Sequence, residues 1–379
     1  MQKRAFGKNR EEISVLGLGC MRFPTIGDDM KAIDEDKVQE MIRLAVDGGV
    51  NYIDTAWPYH GGESEPVVGR ALQALGIRDE IFLATKLPSW LIESREDMDR
   101  YLDQQLERLQ TDHIDYYLVH TLTKRLWAQV KDHGIFEFLD QALESGKIRH
   151  VGFSFHDSLD LFKKIVDAYP WEFCQIQLNY LDESYQAGLE GLEYAAEKGL
   201  SVIIMEPLRG GKLVNNLPEA ALNLFKESLE AKTPAAWGLR YLWNRPEVSL
   251  VLSGMSSLDQ VEENLETAKS GIAGSLSKND LEILSGVQDI LKEKILVDCT
   301  GCKYCVPCPH GVDIPGCFEY YNNASLFSDE AGAKDGYERF VGLDHAASKC
   351  VECGICESHC PQGIAIRQEL KKVVEAFGQ

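Results

Sequence analysis

Long apolar runs are missing from the 379 residues. No stretch of about 18 consecutive apolar residues occurs, and the opening M-Q-K-R-A-F-G leads into no signal-type apolar core. The chain is therefore expected to be neither exported nor anchored, and no membrane is expected as a partner. Positive charge is also short: lysine and arginine total 39 against 60 aspartates and glutamates, a net charge of −21. Nucleic acids and anionic lipid surfaces select basic patches, so neither is an expected partner. Cysteine is absent from most of the chain although there are 11, because eight crowd into two runs near the carboxyl end. Cys20, Cys174 and Cys317 lie outside those runs and read as small buried hydrophobes. Such crowding predicts metal ligation in a reducing cytoplasm rather than a disulfide scaffold.

What the first 294 residues do contain is a repeating unit. After an expected hairpin over residues 4–13, short apolar runs recur at 15–19, 50–54, 81–86, 115–120, 149–153, 173–178, 200–205 and 248–253. Each is followed by an amphipathic stretch of helical period. Short strands alternating with helices predict an α/β fold with a parallel sheet. Eight of them predict closure into a (β/α)8 TIM barrel over residues 1–294, a fold that commonly takes about 250 residues. Helix signals agree: residues 36–47 run into Gly48-Gly49, Ser94 opens a helix with acids in its first turn, and residues 280–294 read as the closing helix. An open doubly wound sheet is the competing architecture. Gly17-Leu18-Gly19 follows the first strand, but the third glycine and prompt helix of a dinucleotide fingerprint are missing.

Ligands collect at the carboxyl edge of parallel strands, so ionisable residues there are candidates for chemistry. Asp54, Tyr59, Lys86 and His120 fall at or just beyond the ends of the second, third and fourth strands. Singly, each is more often a packing or solvated residue. Together they suit protonation of a carbonyl oxygen during hydride transfer. Tyr59 is the acid, and its ordinary pKa near 10 needs lowering by the Lys86 ammonium. Asp54 holds Lys86, and His120 orients the substrate oxygen.

The segments D-T-A-W-P-Y-H-G-G-E-S-E (54–65), A-T-K (84–86) and D-Y-Y-L-V-H (115–120) resemble the signature of the aldo-keto reductase family. The resemblance covers roughly residues 3–290. It implies a barrel that binds an extended NAD(P)(H) without a Rossmann fold, acts on a small carbonyl or alcohol substrate, and uses Asp54, Tyr59, Lys86 and His120 as its tetrad. By the same resemblance Ser154 and Gln175 contact the nicotinamide carboxamide, although Phe155 stands where the family usually has Asn. Met205 occupies the position where a ring usually stacks on nicotinamide. Ser253, Gly254, Ser256, Gln260 and Asn264 fall in the pyrophosphate and adenosine segment. Gly254 and Gln260 stand where many members carry a Lys and an Arg for the 2′-phosphate, which leaves NADH against NADPH open. Trp57, Trp90 and Trp127 are expected in loops on the same rim, as pocket walls or as packing.

Composition changes abruptly at residue 299. C-T-G-C-K-Y-C-V-P-C-P supplies Cys299, Cys302, Cys305 and Cys308, and C-V-E-C-G-I-C-E-S-H-C-P supplies Cys350, Cys353, Cys356 and Cys360. The second run has the C-x2-C-x2-C-x3-C-P spacing of bacterial ferredoxins, whose thiolates hold cubane clusters. Residues 295–379 are thus expected to be a small α-rich ferredoxin-like domain with two 4Fe-4S clusters. Two tetrahedral zinc sites are the alternative. The ferredoxin resemblance implies exchange between the runs: Cys299, Cys302 and Cys305 with Cys360, and Cys350, Cys353 and Cys356 with Cys308. Short helices at 315–327 and 333–341 offer Tyr320, Tyr321, Phe327 and Phe340 as shielding.

The expected function is a cytoplasmic oxidoreductase with nicotinamide chemistry in the barrel and two 4Fe-4S clusters in the tail. Nicotinamide moves electron pairs while clusters move single electrons, so either a flavin or other converter sits near the barrel mouth, or the clusters exchange no electrons with nicotinamide and are structural, redox-sensing or a docking surface for a ferredoxin or other electron-transfer partner. The competing class is an electron-transfer or partner-binding protein whose barrel is no longer a reductase.

Overall fold

The computed structural model describes residues 1–378 apart from Asp28, residues 229–231, Thr300, Cys302 and Pro361. The chain forms two compact units. The first comprises Met1–Glu183, Ala187–Gly210 and Ala235–Leu276; the second comprises Ser184–Gln186, Gly211–Pro234 and Ser277–Gln379. Among the described residues no helix is long and apolar enough to cross a membrane.

The first unit opens with an antiparallel hairpin, β1 (Lys3–Phe6) and β2 (Glu11–Ser14). Eight parallel strands follow: β3 (Leu16–Gly19), β4 (Tyr52–Asp54), β5 (Phe82–Leu87), β6 (Ile114–Leu122), β7 (Ile148–Phe155), β8 (Phe173–Gln177), β9 (Ser201–Met205) and β10 (Val248–Ser253). They pair in chain order and close where β10 meets both β9 and β3, so the sheet is a TIM barrel and not an open doubly wound sheet. Near-continuous apolar sequence is what this arrangement requires, since its strands are covered on both faces. β3 and β4 are buried at every position.

The hairpin plugs the amino-terminal end of the barrel. Phe6 packs edge-on against Tyr116 at 5.1 Å between ring centroids and lies 5.7 Å from Phe173, within a cluster that includes Tyr52 and Leu250. The other end stays available for chemistry. Helices around the barrel start on the expected caps: Asp34 accepts from the Lys37 amide to open Glu35–Asp47, and Ser94 with Asp97 forms a capping box for Arg95–Leu109. Gly69 lets the helix Ser64–Leu75 approach that second helix, because a Cβ there would stand 2.5 Å from the Arg108 carbonyl oxygen.

In the second unit the helix Lys278–Lys292 packs on Glu219–Phe225, with Gly286 against Leu224. The helix expected to close the barrel thus clusters with residues 211–234 and the tail, and the compact units part near residue 277 rather than at 294. The tail has its own core of Val312, Ile314, Phe318, Tyr337, Ile366, Leu370 and Phe377. Asn322 fixes the entry to it: its Oδ1 accepts from the Leu296 and Val297 amides at 3.0 and 2.9 Å, and its Nδ2 donates to the Val297 carbonyl.

Candidate active site and cysteine cavities

The carboxyl ends of seven barrel strands carry the sequence-predicted residues. Asp54 ends β4, Lys86 and His120 lie near the ends of β5 and β6, and Ser154 and Gln175 near those of β7 and β8. Met205 ends β9 and Ser253 ends β10. Tyr59 stands in a 3-10 turn, Tyr59–Gly62, whose next three residues all have positive φ; two of them are glycines, which adopt that region without a Cβ clash.

Lys86 is the hub. Its Nζ donates to Asp54 Oδ1 at 2.6 Å, to the Thr55 carbonyl at 2.8 Å and to Tyr59 Oη at 3.4 Å. Lys86 is fully buried and Asp54 is 2% exposed. Burial works to lower the ammonium's pKa, but the charges of Asp54 and Tyr59 outweigh it and carry it up. Lys86 therefore stays charged without solvent. Burial pushes the Asp54 carboxyl up against the pull of Lys86.

Tyr59 corrects an expectation. Burial pushes the phenol up, and the Lys86 ammonium pulls it down by less, so its pKa lies above the ordinary value. The ammonium acts in the expected direction; removal of the hydroxyl from water is simply the larger effect. His120 goes the other way. Burial, then Lys86, then His156 drive its pKa well below the usual range, so the ring is neutral. It meets Tyr59 edge-on at 6.2 Å between centroids, and its buried Nδ1 has no protein partner.

A buried network supports this group from behind. Glu65 accepts from Thr85 Oγ1 at 2.6 Å, Gln105 Nε2 at 2.7 Å and Arg108 Nη1 at 3.0 Å, while Gln105 also donates to the Lys86 carbonyl at 3.0 Å. Ser89 donates to the His120 carbonyl at 2.6 Å. The sequence reading missed these partners, although Glu65 lies inside the quoted 54–65 signature. Thr121 has a φ of 54°, rare for a β-branched residue, and its amide donates to Ser154 Oγ at 2.7 Å. The Ser154 hydroxyl proton is therefore still available to a ligand.

The remaining rim residues divide. Gln175 is 2% exposed; its Nε2 reaches Met205 Sδ at 3.4 Å, and its Oε1 has no protein partner. Asn264 donates to Ser253 Oγ at 3.0 Å, and Gln260 Oε1 accepts from the Ser256 amide at 2.8 Å. Ser257 caps the helix Leu258–Ala268, as its residue type suggests. Of the three tryptophans, Trp90 lies 5.4 Å from His120, whereas Trp57 packs under the Arg108 guanidinium and against Tyr101. Trp127 is core, packed with Phe136 and Trp171.

In the second unit the cysteines line two cavities. One, of about 320 Å³ including its mouth, is lined by Cys299, Cys305 and Cys360 with Ile314, Phe318, Ile364 and Ile366. The other, of about 330 Å³, is lined by Cys308, Cys350, Cys353 and Cys356 with Val312, Ile314 and Leu370. Cys302 lies outside the described residues. Each cavity draws its last cysteine from the opposite run, and Ile314 belongs to both. No three His, Cys, Asp or Glu side chains among the described residues are gathered closely enough for a single metal ion. Thiols spread around a cavity suit a multi-atom cluster better than a zinc ion, which draws its sulfurs to about 2.3 Å from one point. The aromatic shield differs from the expectation: Phe340 is 70% exposed and stacks on Tyr320, and neither cavity is lined by Tyr320, Tyr321, Phe327 or Phe340. The helix over 333–341 is built differently too, as Glu330–Gly336 followed by a π-turn at Tyr337–Val341.

The profile of the Aldo/keto reductase family matches residues 15–273. The chain belongs to that family. Its aldo/keto reductase barrel is followed by a match to the 4Fe-4S dicluster domain over residues 298–365. Among curated proteins it is 30% identical to the L-galactose dehydrogenase of Arabidopsis thaliana, covering 77% of this chain and 95% of that one. It is 28% identical to the uncharacterized oxidoreductase YqkF of Bacillus subtilis, over 77% and 99%. Among solved structures it is similar to an aldo-keto reductase of Bacillus halodurans in its holo form, with 28% identity, a TM-score of 0.63, and coverage of 76% of this chain and 96% of that one. This aldo/keto reductase is an oxidoreductase with a 4Fe-4S domain, and its family typically uses a nicotinamide cofactor.

Proposed function

We propose that the barrel interconverts a small carbonyl compound and its alcohol with NAD(P)(H), Tyr59 exchanging the proton with the substrate oxygen. The observation that carries this reading is the placement of Lys86 Nζ between Asp54 Oδ1 at 2.6 Å and Tyr59 Oη at 3.4 Å. The nicotinamide supplies or takes the hydride. In reduction, Tyr59 gives its proton as negative charge grows on the substrate oxygen, and the buried ammonium stabilises the phenolate left behind. The raised phenol pKa keeps Tyr59 protonated beforehand. Asp54 keeps Lys86 charged, and neutral His120 has one ring N–H to direct at the same oxygen. The name of the L-galactose dehydrogenase relative makes the oxidative direction equally open, with Tyr59 then receiving the proton.

The residues fit the cofactor: buried Gln175 Oε1 and His120 Nδ1 have no protein partner on this rim, and Ser154 keeps a proton to donate. Two 4Fe-4S clusters would be held by Cys299, Cys302, Cys305 and Cys360, and by Cys308, Cys350, Cys353 and Cys356. We place the enzyme in the cytoplasm, where thiolate ligands stay reduced. The clusters serve a one-electron partner such as a ferredoxin, or a bound flavin, and the assembled tetrad weighs against an inactive barrel.

Tyr59→Phe in anaerobically purified protein tests the enzyme reading. Carbonyl reduction should fall by about 100-fold or more with NAD(P)H affinity kept; an unchanged rate refutes the role of Tyr59. The visible spectrum of the wild type before and after NADH tests the coupling, since bleaching without added partner requires an internal converter such as flavin.

A further inference from the structure

The rim carries a guanidinium that reading the nucleotide segment alone does not reveal. Arg22 ends a short turn, Cys20–Arg22, just after β3. From there it extends across the barrel mouth to Glu206, directly after β9, with Nη2 3.5 Å from Oε1. On the way it crosses the turn after β10: a Cβ built on Gly254 would stand 3.1 Å from Arg22 Cδ. A Cβ on Gly210 would stand 2.8 Å from Arg22 Nη2. Two glycines thus leave room for this side chain.

Glu206 is held in an unusual state. It adopts a φ of 54°, left-handed and uncommon for a residue with a Cβ. Its carbonyl accepts from Asn179 Nδ2 at 3.2 Å, and Arg209 in the same loop pairs with Asp182 at 3.2 Å. The loop backbone is tied down while the Glu206 carboxylate faces Arg22. Both side chains keep access to water, at 45% and 34% exposure, so the pair is an exchangeable one. Beside it, Met205 contacts Gln175, whose buried Oε1 has no protein partner and so points to a ligand on this rim.

We propose that Arg22 is the pyrophosphate-binding cation of the dinucleotide site, and that Glu206 is its counter-ion until the nucleotide enters and displaces it. The assignment rests on the nicotinamide reading above. A planar guanidinium can donate to two phosphate oxygens at once, which one carboxylate at 3.5 Å does not match. The cation comes from the first strand's loop and lies over Gly254; a long side chain at 254 would push it away. Because the pyrophosphate is common to both dinucleotides, Arg22 confers affinity without choosing between NADH and NADPH.

Titration of the anaerobic, cluster-containing protein with NADH and NADPH, followed by calorimetry, tests this. Arg22→Ala should weaken both by a similar factor of about 10 to 100, the loss of a charge-assisted contact, and Arg22→Lys should restore part of it. Glu206→Gln should tighten both several-fold, because the competing carboxylate is gone. The opposite signs are the signature of a placeholder pair. Unchanged affinity in Arg22→Ala, weaker binding in Glu206→Gln, or loss for NADPH alone would each overturn the assignment. A wild type that binds neither dinucleotide would instead refute the nicotinamide reading on which it rests. Cluster absorption and near-ultraviolet dichroism of the variants, unchanged for exposed residues, exclude misfolding.

Discussion

Breaking the Asp54–Lys86 pair from either side should make barrel stability depend on pH in opposite senses. At 2.6 Å, two unit charges attract by about 6 kcal/mol at an effective dielectric of about 20, a ceiling from which desolvation subtracts. Lys86→Met leaves a buried carboxyl whose pKa burial already raises, and the downward pull of Lys86 is lost. The native state then holds a proton that the unfolded chain releases above about pH 3.9. Stability falls by about 1.4 kcal/mol per pH unit until the raised native value is reached. Asp54→Asn does the reverse: burial then acts on Lys86 with its main raising charge gone, the native state sheds a proton that the unfolded chain keeps, and stability rises with pH. Near pH 7 each single variant should lose about 3–5 kcal/mol, and the double variant clearly less than their sum. All six tryptophans, residues 57, 90, 127, 171, 237 and 243, lie in the first unit. Their fluorescence during denaturant unfolding from pH 5 to 9 therefore reads the barrel rather than the tail. Strictly additive losses, or single variants with the same pH slope as wild type, would refute the reasoning.

Two further outcomes follow from other parts of the molecule. His150, buried at the amino-terminal end, lies 2.8 Å from Glu172 and 3.1 Å from Glu11 on the hairpin, stacked on Tyr116; burial acts to lower its pKa, but the two carboxylates outweigh it and raise it. Its contribution should be complete below about pH 6.5 and fade as pH climbs through the raised native value, so the stability gap between wild type and His150→Gln should narrow from pH 6 to 9; a constant gap would contradict this. In the tail, Cys360→Ser should perturb the cluster of the first run and Cys308→Ser that of the second, read as changes in iron content and in the paramagnetic spectrum of the reduced protein. Each serine altering only its own run's cluster would refute ligand exchange.

The barrel was legible because its period is written in short apolar runs, and Asp54, Lys86 and His120 were legible because strand ends are where parallel sheets present side chains. The supports were not. Gln105 reaches Glu65 and Lys86 from a helix 40 and 19 residues away, and nothing in its own surroundings marks it. Spacing also cannot weigh burial against a neighbouring charge, which is why the direction of the Tyr59 shift needed the structure. Arg22 belongs to the same class: its partners follow β9 and β10, and only closure of the barrel brings those loops to the end of β3. Trp57 and Trp127 fall in or beside rim loops, but loop position does not tell which way a ring turns. In the tail the cysteine spacing announced clusters, whereas the side chains enclosing them, Ile314 and Phe318 among them, carry no motif.

The sharing of Ile314 bears on how one-electron centres can serve a two-electron enzyme. A hydride carries two electrons, and no residue of the tetrad stores one of them alone. Two cysteine cavities that share Ile314 in their lining would hold two clusters in one small unit, so the tail could gather a pair one electron at a time from a single donor. One cavity would be a sufficient relay for a partner that moves single electrons; two adjacent cavities match the stoichiometry of a hydride. That match sets the terms of a reductive titration. Both clusters should fill for each equivalent of a two-electron donor when a converter is supplied, and neither should fill from NADH when it is withheld.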